Sequence, residues 1–206
     1  MKICIDAGHG GRFPGATGYD GSLEKNENLN SAKLLKEEMK RRGHTVTMTR
    51  EADIDLSSNK DEDLLERCNI ANAAKVDCFI SMHENWFEDS GATGTETIYT
   101  SHNPSQKSIQ WANDCLSRMV AALGLRRRGT LQQGITVLRY TDMPAILVEP
   151  GFMSNSNDLE TIRAKRRAMI MAIADSCEAM FGQAIKSGYG LYMSFAHWMD
   201  FWPCTG

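Results

Sequence analysis

Two histidines and two glutamates stand out in this chain by what surrounds them. His9 lies in Gly8-His9-Gly10-Gly11, shortly after the apolar run Ile3-Cys4-Ile5. His83 closes Asp77-Cys78-Phe79-Ile80-Ser81-Met82-His83, and Glu149 closes Ala145-Ile146-Leu147-Val148-Glu149, before Pro150-Gly151. Glu24 opens a stretch of helical spacing after a glycine-rich loop. Imidazole nitrogens and carboxylate oxygens are the donors a catalytic zinc takes, three from the protein with a fourth position left for water. His9, Glu24 and His83 make such a set of two histidines and one carboxylate. An ion so held lowers the pKa of its water to about 7 and polarises a carbonyl. A separate base must then take the water's proton and hand it to the leaving nitrogen, and Glu149 is placed for that. Taken singly, each residue has a plainer reading: a loop histidine, a strand-end histidine, a carboxylate on a helix dipole, a salt-bridged acid. The set gains weight because three separate segments each end on such a residue.

These side chains need a frame, and the hydropathy pattern supplies one. Lys2–Asp6 reads as a buried strand running into a flexible loop. Glu24–Arg42 carries Leu29, Ala32, Leu34, Leu35 and Met39 near helical spacing and is stopped by Gly43. His44–Arg50 alternates as a strand, and 61–74 is predicted helical. Strands are predicted at 77–83, 93–100, 136–139 and 145–148, and helices at 104–123 and 159–181. Strands alternating with helices predict an α/β fold: a single domain with a mixed, mainly parallel central sheet flanked by helices. Ligands of such sheets sit at the carboxyl ends of the strands, where His9, His83 and Glu149 fall.

Composition narrows the classes. The chain has 206 residues, 23 Lys+Arg against 26 Asp+Glu, and a net charge of −3, with 42% apolar and 24% charged residues. That is an ordinary globular balance, and a chain this long needs no structural metal or disulfide to hold a core. The absence of a basic surplus argues against nucleic acid as a partner. No run of 18 apolar residues predicts a membrane helix, and Met1-Lys2-Ile3-Cys4-Ile5-Asp6 does not read as a signal peptide. The six cysteines, Cys4, Cys68, Cys78, Cys115, Cys177 and Cys204, are dispersed and read as buried thiols. His44 reads as a surface residue, His102 as a turn residue with the option of lining a groove, and His197 as lacking a partner. Residues 183–206 form a tail in which Tyr189, Tyr192, Phe195, Trp198 and Phe201 recur every third position. Its readings are an apolar face, a membrane-interface segment or part of a wall-binding element.

The motifs, in order, resemble those of a known family. Ile5-Asp6-Ala7-Gly8-His9-Gly10-Gly11, Glu24-Lys25-Asn26 with Leu29, Thr49-Arg50, Arg67 with Ala71-Asn72, Ile80-Ser81-Met82-His83 with Asn85, Gly94-Thr95-Glu96-Thr97, and Pro144 to Glu149 followed by Gly151-Phe152-Met153-Ser154-Asn155 resemble the zinc-dependent N-acetylmuramoyl-L-alanine amidases of the Amidase_3 type. The resemblance spans about residues 1–182. It implies a Zn2+ centre held by His9, Glu24 and His83, with Glu149 as the catalytic acid–base. It also implies peptidoglycan as substrate, cut at the amide between the lactyl group of N-acetylmuramic acid and L-alanine of the stem peptide. A wall-binding module that no longer turns over and a zinc peptidase acting within the stem are the alternatives. With no export signal visible, action on the wall after release, as by a phage or prophage endolysin or on lysis, is the expected route. Three features depart from the pattern or stand beside it. Glu84 replaces a small residue beside His83 and, with Glu88 and Asp89, reads as a solvated loop. Glu27 falls where the helix normally buries an aliphatic side chain, predicting a more exposed turn. Arg126-Arg127-Arg128 reads as a solvated loop or as an attraction for anionic wall polymers and stem-peptide carboxylates.

Overall fold

The computed structural model describes residues 1–182. Six strands and five helices follow one another along it: β1 (Lys2–Ala7), α1 (Glu24–Arg41), β2 (Thr45–Met48), α2 (Lys60–Ala74), β3 (Cys78–Met82), β4 (Thr95–Thr100), α3 (Gln106–Leu123), β5 (Arg127–Gln133), α4 (Thr136–Arg139), β6 (Ala145–Glu149) and α5 (Ser156–Phe181). The strands form one sheet in the order β2-β1-β3-β6-β4-β5. All neighbours are parallel except β4 and β6, so the sheet is mixed and mainly parallel, as expected. Among the described residues, no helix is long and apolar enough to cross a membrane.

The period of two along each strand divides the core into two layers. Ile3, Ile5 and Ala7 of β1, with Ile80 of β3 and Ile146 and Val148 of β6, pack under α1, α3 and α5 through Leu35, Met39, Trp111, Met119 and Ile173. The alternate positions Cys4, Phe79 and Leu147 meet α2 and α4 through Cys68, Ala71, Val137 and Leu138. Each large side chain removed from water in this way contributes about 1.5–3 kcal/mol. Three helix starts are fixed by side-chain caps: in α2 Asn59 accepts from the Asp61 and Glu62 amides, in α3 Ser105 from Ser108, and in α5 Asn155 from Asp158. The five cysteines among the described residues are buried and free, as expected. The aromatic tail lies outside the described residues, as do Cys204 and His197.

Two elements differ from the sequence expectation. Residues 136–139 form the one-turn helix α4 rather than a strand; a four-residue apolar run carries no periodicity that separates the two. The Arg126–Arg128 segment is not a loop, because Arg127 opens β5, an edge strand pairing only with β4. Its sequence, Arg-Arg-Gly-Thr-Leu-Gln-Gln, lacks the apolar alternation that marks a half-buried strand, so backbone pairing alone defines it.

Candidate metal centre

Three crossings of the sheet bring the site together. His9 lies two residues beyond β1, His83 one residue beyond β3, and Glu24 is the first residue of α1. Their ligand atoms lie within 4.8 Å of one another. Glu24 is the hub: Oε2 stands 3.1 Å from Nε2 of His9 and Oε1 stands 2.9 Å from Nδ1 of His83. The two imidazole rings meet edge to face with centroids 4.9 Å apart. Burial alone would raise the Glu24 pKa, but hydrogen bonds from His83 and His9 and their charge outweigh it and hold the carboxyl far below its ordinary value. The Ala16 amide donates to Oε2 (2.9 Å), and Asn28 Nδ2 and the Glu84 amide donate to Oε1 (3.3 Å each).

The space for this convergence is made by glycines. A Cβ on Gly8 would stand 2.2 Å from His83 Nε2, and one on Gly15 would stand 2.5 Å from Glu24 Oε2 and 2.8 Å from His9 Cδ2. His9 itself has φ 64°, a left-handed conformation that non-glycine residues rarely hold unless the surroundings impose it. Two buried arginines do so by gripping three successive carbonyls. Arg50 donates to the oxygens of Ala7 (2.8 Å) and Gly8 (3.0 Å), and Arg67 to those of Ala7 and His9 (2.8 Å each). Arg67 is in turn paired with Asp6 and Asp63, at 2.8 Å each, and all three are buried. Asp6 also accepts from the Thr49 and Ser81 hydroxyls, at 2.6 Å each. Burial pushes the Asp6 pKa up, but the Arg67 charge and the two hydroxyls win and lower it. A polar scaffold of this kind, fully hydrogen-bonded, fixes a loop that glycines alone would leave free.

Glu149 is the last residue of β6, on the same edge. Its Oε2 accepts from Asn85 Nδ2 at 2.9 Å, and the second hydrogen of that amide goes to Glu96 Oε1 at 2.8 Å. Burial first, then a hydrogen bond and repulsion from Glu96, raise the Glu149 pKa well above the carboxylate range, and Arg128 partly offsets this. A carboxylate so placed is a stronger base than one in water. Trp86 and Phe87, which follow Asn85, expose 47% and 57% of their surface, giving this edge an apolar face.

Several expectations are corrected here. Glu84 is not a solvated residue: it is buried at 4% exposure, and its Oε2 has no hydrogen-bond partner. Glu88 and Asp89, by contrast, are exposed, as expected. Glu27 is buried as well, at 7%. It escapes the aliphatic rule because Arg163 (2.6 Å) and Arg166, both from α5, neutralise its carboxylate. Arg128 is tied to the fold, its Nε donating to Glu96 at 2.6 Å and its guanidinium lying 4.8 Å over the Phe152 ring. His44 is largely covered, its Nε2 hydrogen-bonded to Glu178 at 2.8 Å. His102 lines a cavity of about 300 Å³ with Ser108 and Pro144, beside the start of β6 and so at the opposite edge of the sheet. The supporting residues Asp6, Asn28, Asn85 and Glu96 have no spacing signature as functional residues; for Asp6, Asn85 and Glu96 the only signal is a charge or amide inside or just after an apolar strand, and for Asn28 an amide in the buried first turns of α1.

Comparison with known proteins places this chain in a family. Residues 3–179 match the Amidase_3 family, described as N-acetylmuramoyl-L-alanine amidase. The chain is 34% identical over 161 residues to the N-acetylmuramoyl-L-alanine amidase LytC of Bacillus subtilis, covering 78% of this chain and 31% of LytC. It is 36% identical over 183 residues to the probable cell wall amidase LytH of Staphylococcus epidermidis, covering 87% and 58% respectively. The chain thus spans about a third to somewhat over half of the length of these two relatives. Among solved structures it superposes on the catalytic domain of CwlV, an N-acetylmuramoyl-L-alanine amidase from Bacillus (Paenibacillus) polymyxa var. colistinus, with a TM-score of 0.77 and 32% identity, covering 87% of this chain and 97% of that one. An N-acetylmuramoyl-L-alanine amidase from Clostridium difficile 630 gives a TM-score of 0.78 at 29% identity, with 87% and 95% covered. The chain belongs to the Amidase_3 family of N-acetylmuramoyl-L-alanine amidases.

Proposed function

We propose that this chain is a zinc-dependent peptidoglycan hydrolase. It cuts the amide between the lactyl group of N-acetylmuramic acid and L-alanine of the stem peptide, with His9, Glu24 and His83 as the zinc ligands and Glu149 as the acid–base. The observation that carries this reading is the convergence of the three ligand atoms within 4.8 Å on the strand edge that also bears Glu149. The donor chemistry fits a catalytic zinc, with two imidazole nitrogens and one carboxylate oxygen, and the Gly8 and Gly15 positions are cut away around those donors. Zinc bound there would polarise the scissile carbonyl and acidify the attacking water.

The chain's own residues supply the rest. Arg50 and Arg67 hold the His9 loop, and Asn28 with the Ala16 and Glu84 amides hold Glu24, so the donors are oriented before substrate arrives. Glu149 accepts the proton of the attacking water and returns it to the alanine nitrogen as the C–N bond breaks. Asn85 fixes its carboxylate by a hydrogen bond. Trp86 and Phe87 present apolar surface to the sugar attached at the reacting carbonyl.

Digestion of purified sacculi by wild type and Glu149→Ala, with zinc measured on both, tests the reading. Mass spectrometry of wild-type products is expected to show stem peptides with a free L-alanine amino group and glycan with lactyl carboxyl ends. The variant is expected to keep its zinc and release none. Undiminished turnover by Glu149→Ala, or products shortened within the stem, would contradict it.

A further inference from the structure

Glu149 does not stand alone on its strand edge. In the antiparallel pairing of β4 with β6, Glu96 is its direct cross-strand partner, so the two carboxyls project from the same face of the sheet at neighbouring positions. One amide group holds both. Asn85 Nδ2 spends one hydrogen on Glu96 Oε1 (2.8 Å) and the other on Glu149 Oε2 (2.9 Å). Asn85 is itself immobilised on every side. Its Oδ1 accepts from the Trp86 amide (2.7 Å), its backbone N–H donates to Gly151 (2.8 Å), and its carbonyl accepts from Met153 (2.7 Å). The Oδ1 contact also fixes which end of the side chain faces the carboxyls. On the far side of Glu96, Arg128 donates to Oε2 at 2.6 Å and is braced over Phe152. The result is a row, Arg128–Glu96–Asn85–Glu149, in which one cation serves two carboxyls and touches the one that is not the base.

We propose that Glu96 and Arg128 are positioning residues for the reaction, acting through the Asn85 bridge to set how readily Glu149 takes up and gives back its proton. The proposal rests on Glu149 being the acid–base. Its physical basis is that two carboxyls sharing a site resist double ionisation, so one of them retains a proton to higher pH. The Arg128 guanidinium, on the far side of Glu96, is the cation that offsets part of this repulsion. The raised proton affinity of Glu149 agrees, with burial as the first cause and Glu96 as the next. The other charged groups facing Glu149 are Glu24 from the start of α1 and Glu84 after β3. Both are common to the variants below and do not alter the comparison.

Two substitutions push the balance in opposite directions. Glu96→Gln removes the like charge in nearly the same shape, so Glu149 should ionise at lower pH. Arg128→Gln, at a side chain 36% exposed, removes the offsetting cation, so Glu149 should ionise at higher pH. The first readout needs no turnover. Carboxyl 13C NMR titration of the full chain, zinc-loaded and metal-free, with the Glu149 signal assigned by its loss in Glu149→Gln, gives the midpoint directly. It is expected to fall by about one pH unit in Glu96→Gln and to rise in Arg128→Gln, the size usual for a charge in contact. The second readout is the acid limb of kcat/KM on muropeptide substrate, expected to move the same two ways with zinc content unchanged. A Glu149 midpoint that stays put in both variants, or shifts in the same direction in both, would overturn the proposal. So would a uniform fall in activity with an unmoved pH profile, the mark of a merely structural role. Absence of amidase activity in the wild type would instead refute the proposed function and leave the titration result standing.

Discussion

If the proposed zinc centre is right, Gly8→Ala should weaken zinc binding sharply while leaving the fold nearly intact. A Cβ at position 8 would sit 2.2 Å from His83 Nε2, 2.4 Å from Cε1 and 2.7 Å from Cδ2. The shortest of these is more than an ångström inside the 3.4 Å at which ordinary contact begins. The backbone cannot retreat to make room. Gly8 donates to the Met82 carbonyl at 3.1 Å, and its own carbonyl accepts from Asn28 at 3.1 Å and Arg50 at 3.0 Å. The imidazole must move instead, and its Nδ1 now stands only 2.9 Å from Glu24. Metal–ligand distances tolerate about 0.2 Å, so a displacement of this size removes a donor. Perturbing only the support of a ligand weakens metal binding by about 10–100-fold, and zinc affinity here should fall by at least the upper figure. Overpacking at one position should lower stability by only about 1–3 kcal/mol. Zinc competition against a chromophoric chelator, with a thermal melt followed by circular dichroism, reads both quantities. Gly134→Ala is the control, since its nearest neighbour would be Ser101 Oγ at 3.5 Å. Zinc affinity in Gly8→Ala indistinguishable from wild type would refute the placement of His83 against the Gly8 backbone.

The Asp6–Arg67 pair should make stability pH-dependent in one direction. The folded pKa of Asp6 lies below its unfolded value of about 3.9, so its contribution is present above that pH and is lost as pH falls through the folded pKa. Urea unfolding of Asp6→Asn should show a loss of about 3–5 kcal/mol at neutral pH, the cost of stripping one partner from a buried pair, and the gap to wild type should shrink below about pH 4; a gap that widens with acid would be contrary evidence. Arg166→Leu should destabilise by about 3 kcal/mol, because it strips a cation from buried Glu27 and from the neighbourhood of buried Glu84. Adding Glu27→Leu should restore part of that loss, and simple additivity of the two substitutions in unfolding experiments would show that they are not coupled.

The frame and the convergence of His9, Glu24 and His83 were legible in the sequence for a physical reason. Apolar strands such as Cys78–Met82 and helices such as Gln106–Leu123 must bury a face, which imposes a period that can be read. His9 and His83 then lie where two such parallel strands end, and Glu24 where the first helix begins. What was not legible depends on pairs distant in sequence. Glu27 looked misplaced until Arg163 and Arg166, more than 130 residues further on, supplied its countercharge. Glu84 looked like a loop residue because nothing local shows that the chain turns inward after His83. β5 left no apolar signature, being an edge strand of polar residues, and α4 was too short to declare its period. Asn85 and Glu96 were visible as parts of motifs, but their bridge to Glu149 exists only once β4 lies antiparallel to β6.

The most direct measurement is a crystal structure of the zinc-loaded chain with anomalous data collected on either side of the zinc edge. A single strong peak is expected within coordination distance, about 2.0–2.2 Å, of His9 Nε2, His83 Nδ1 and a Glu24 carboxylate oxygen, with Glu149 outside that radius. A zinc peak at any other cluster, or a site that draws on Glu149 and leaves either histidine unbound, would contradict the assignment of ligands and base on which the catalytic reading rests.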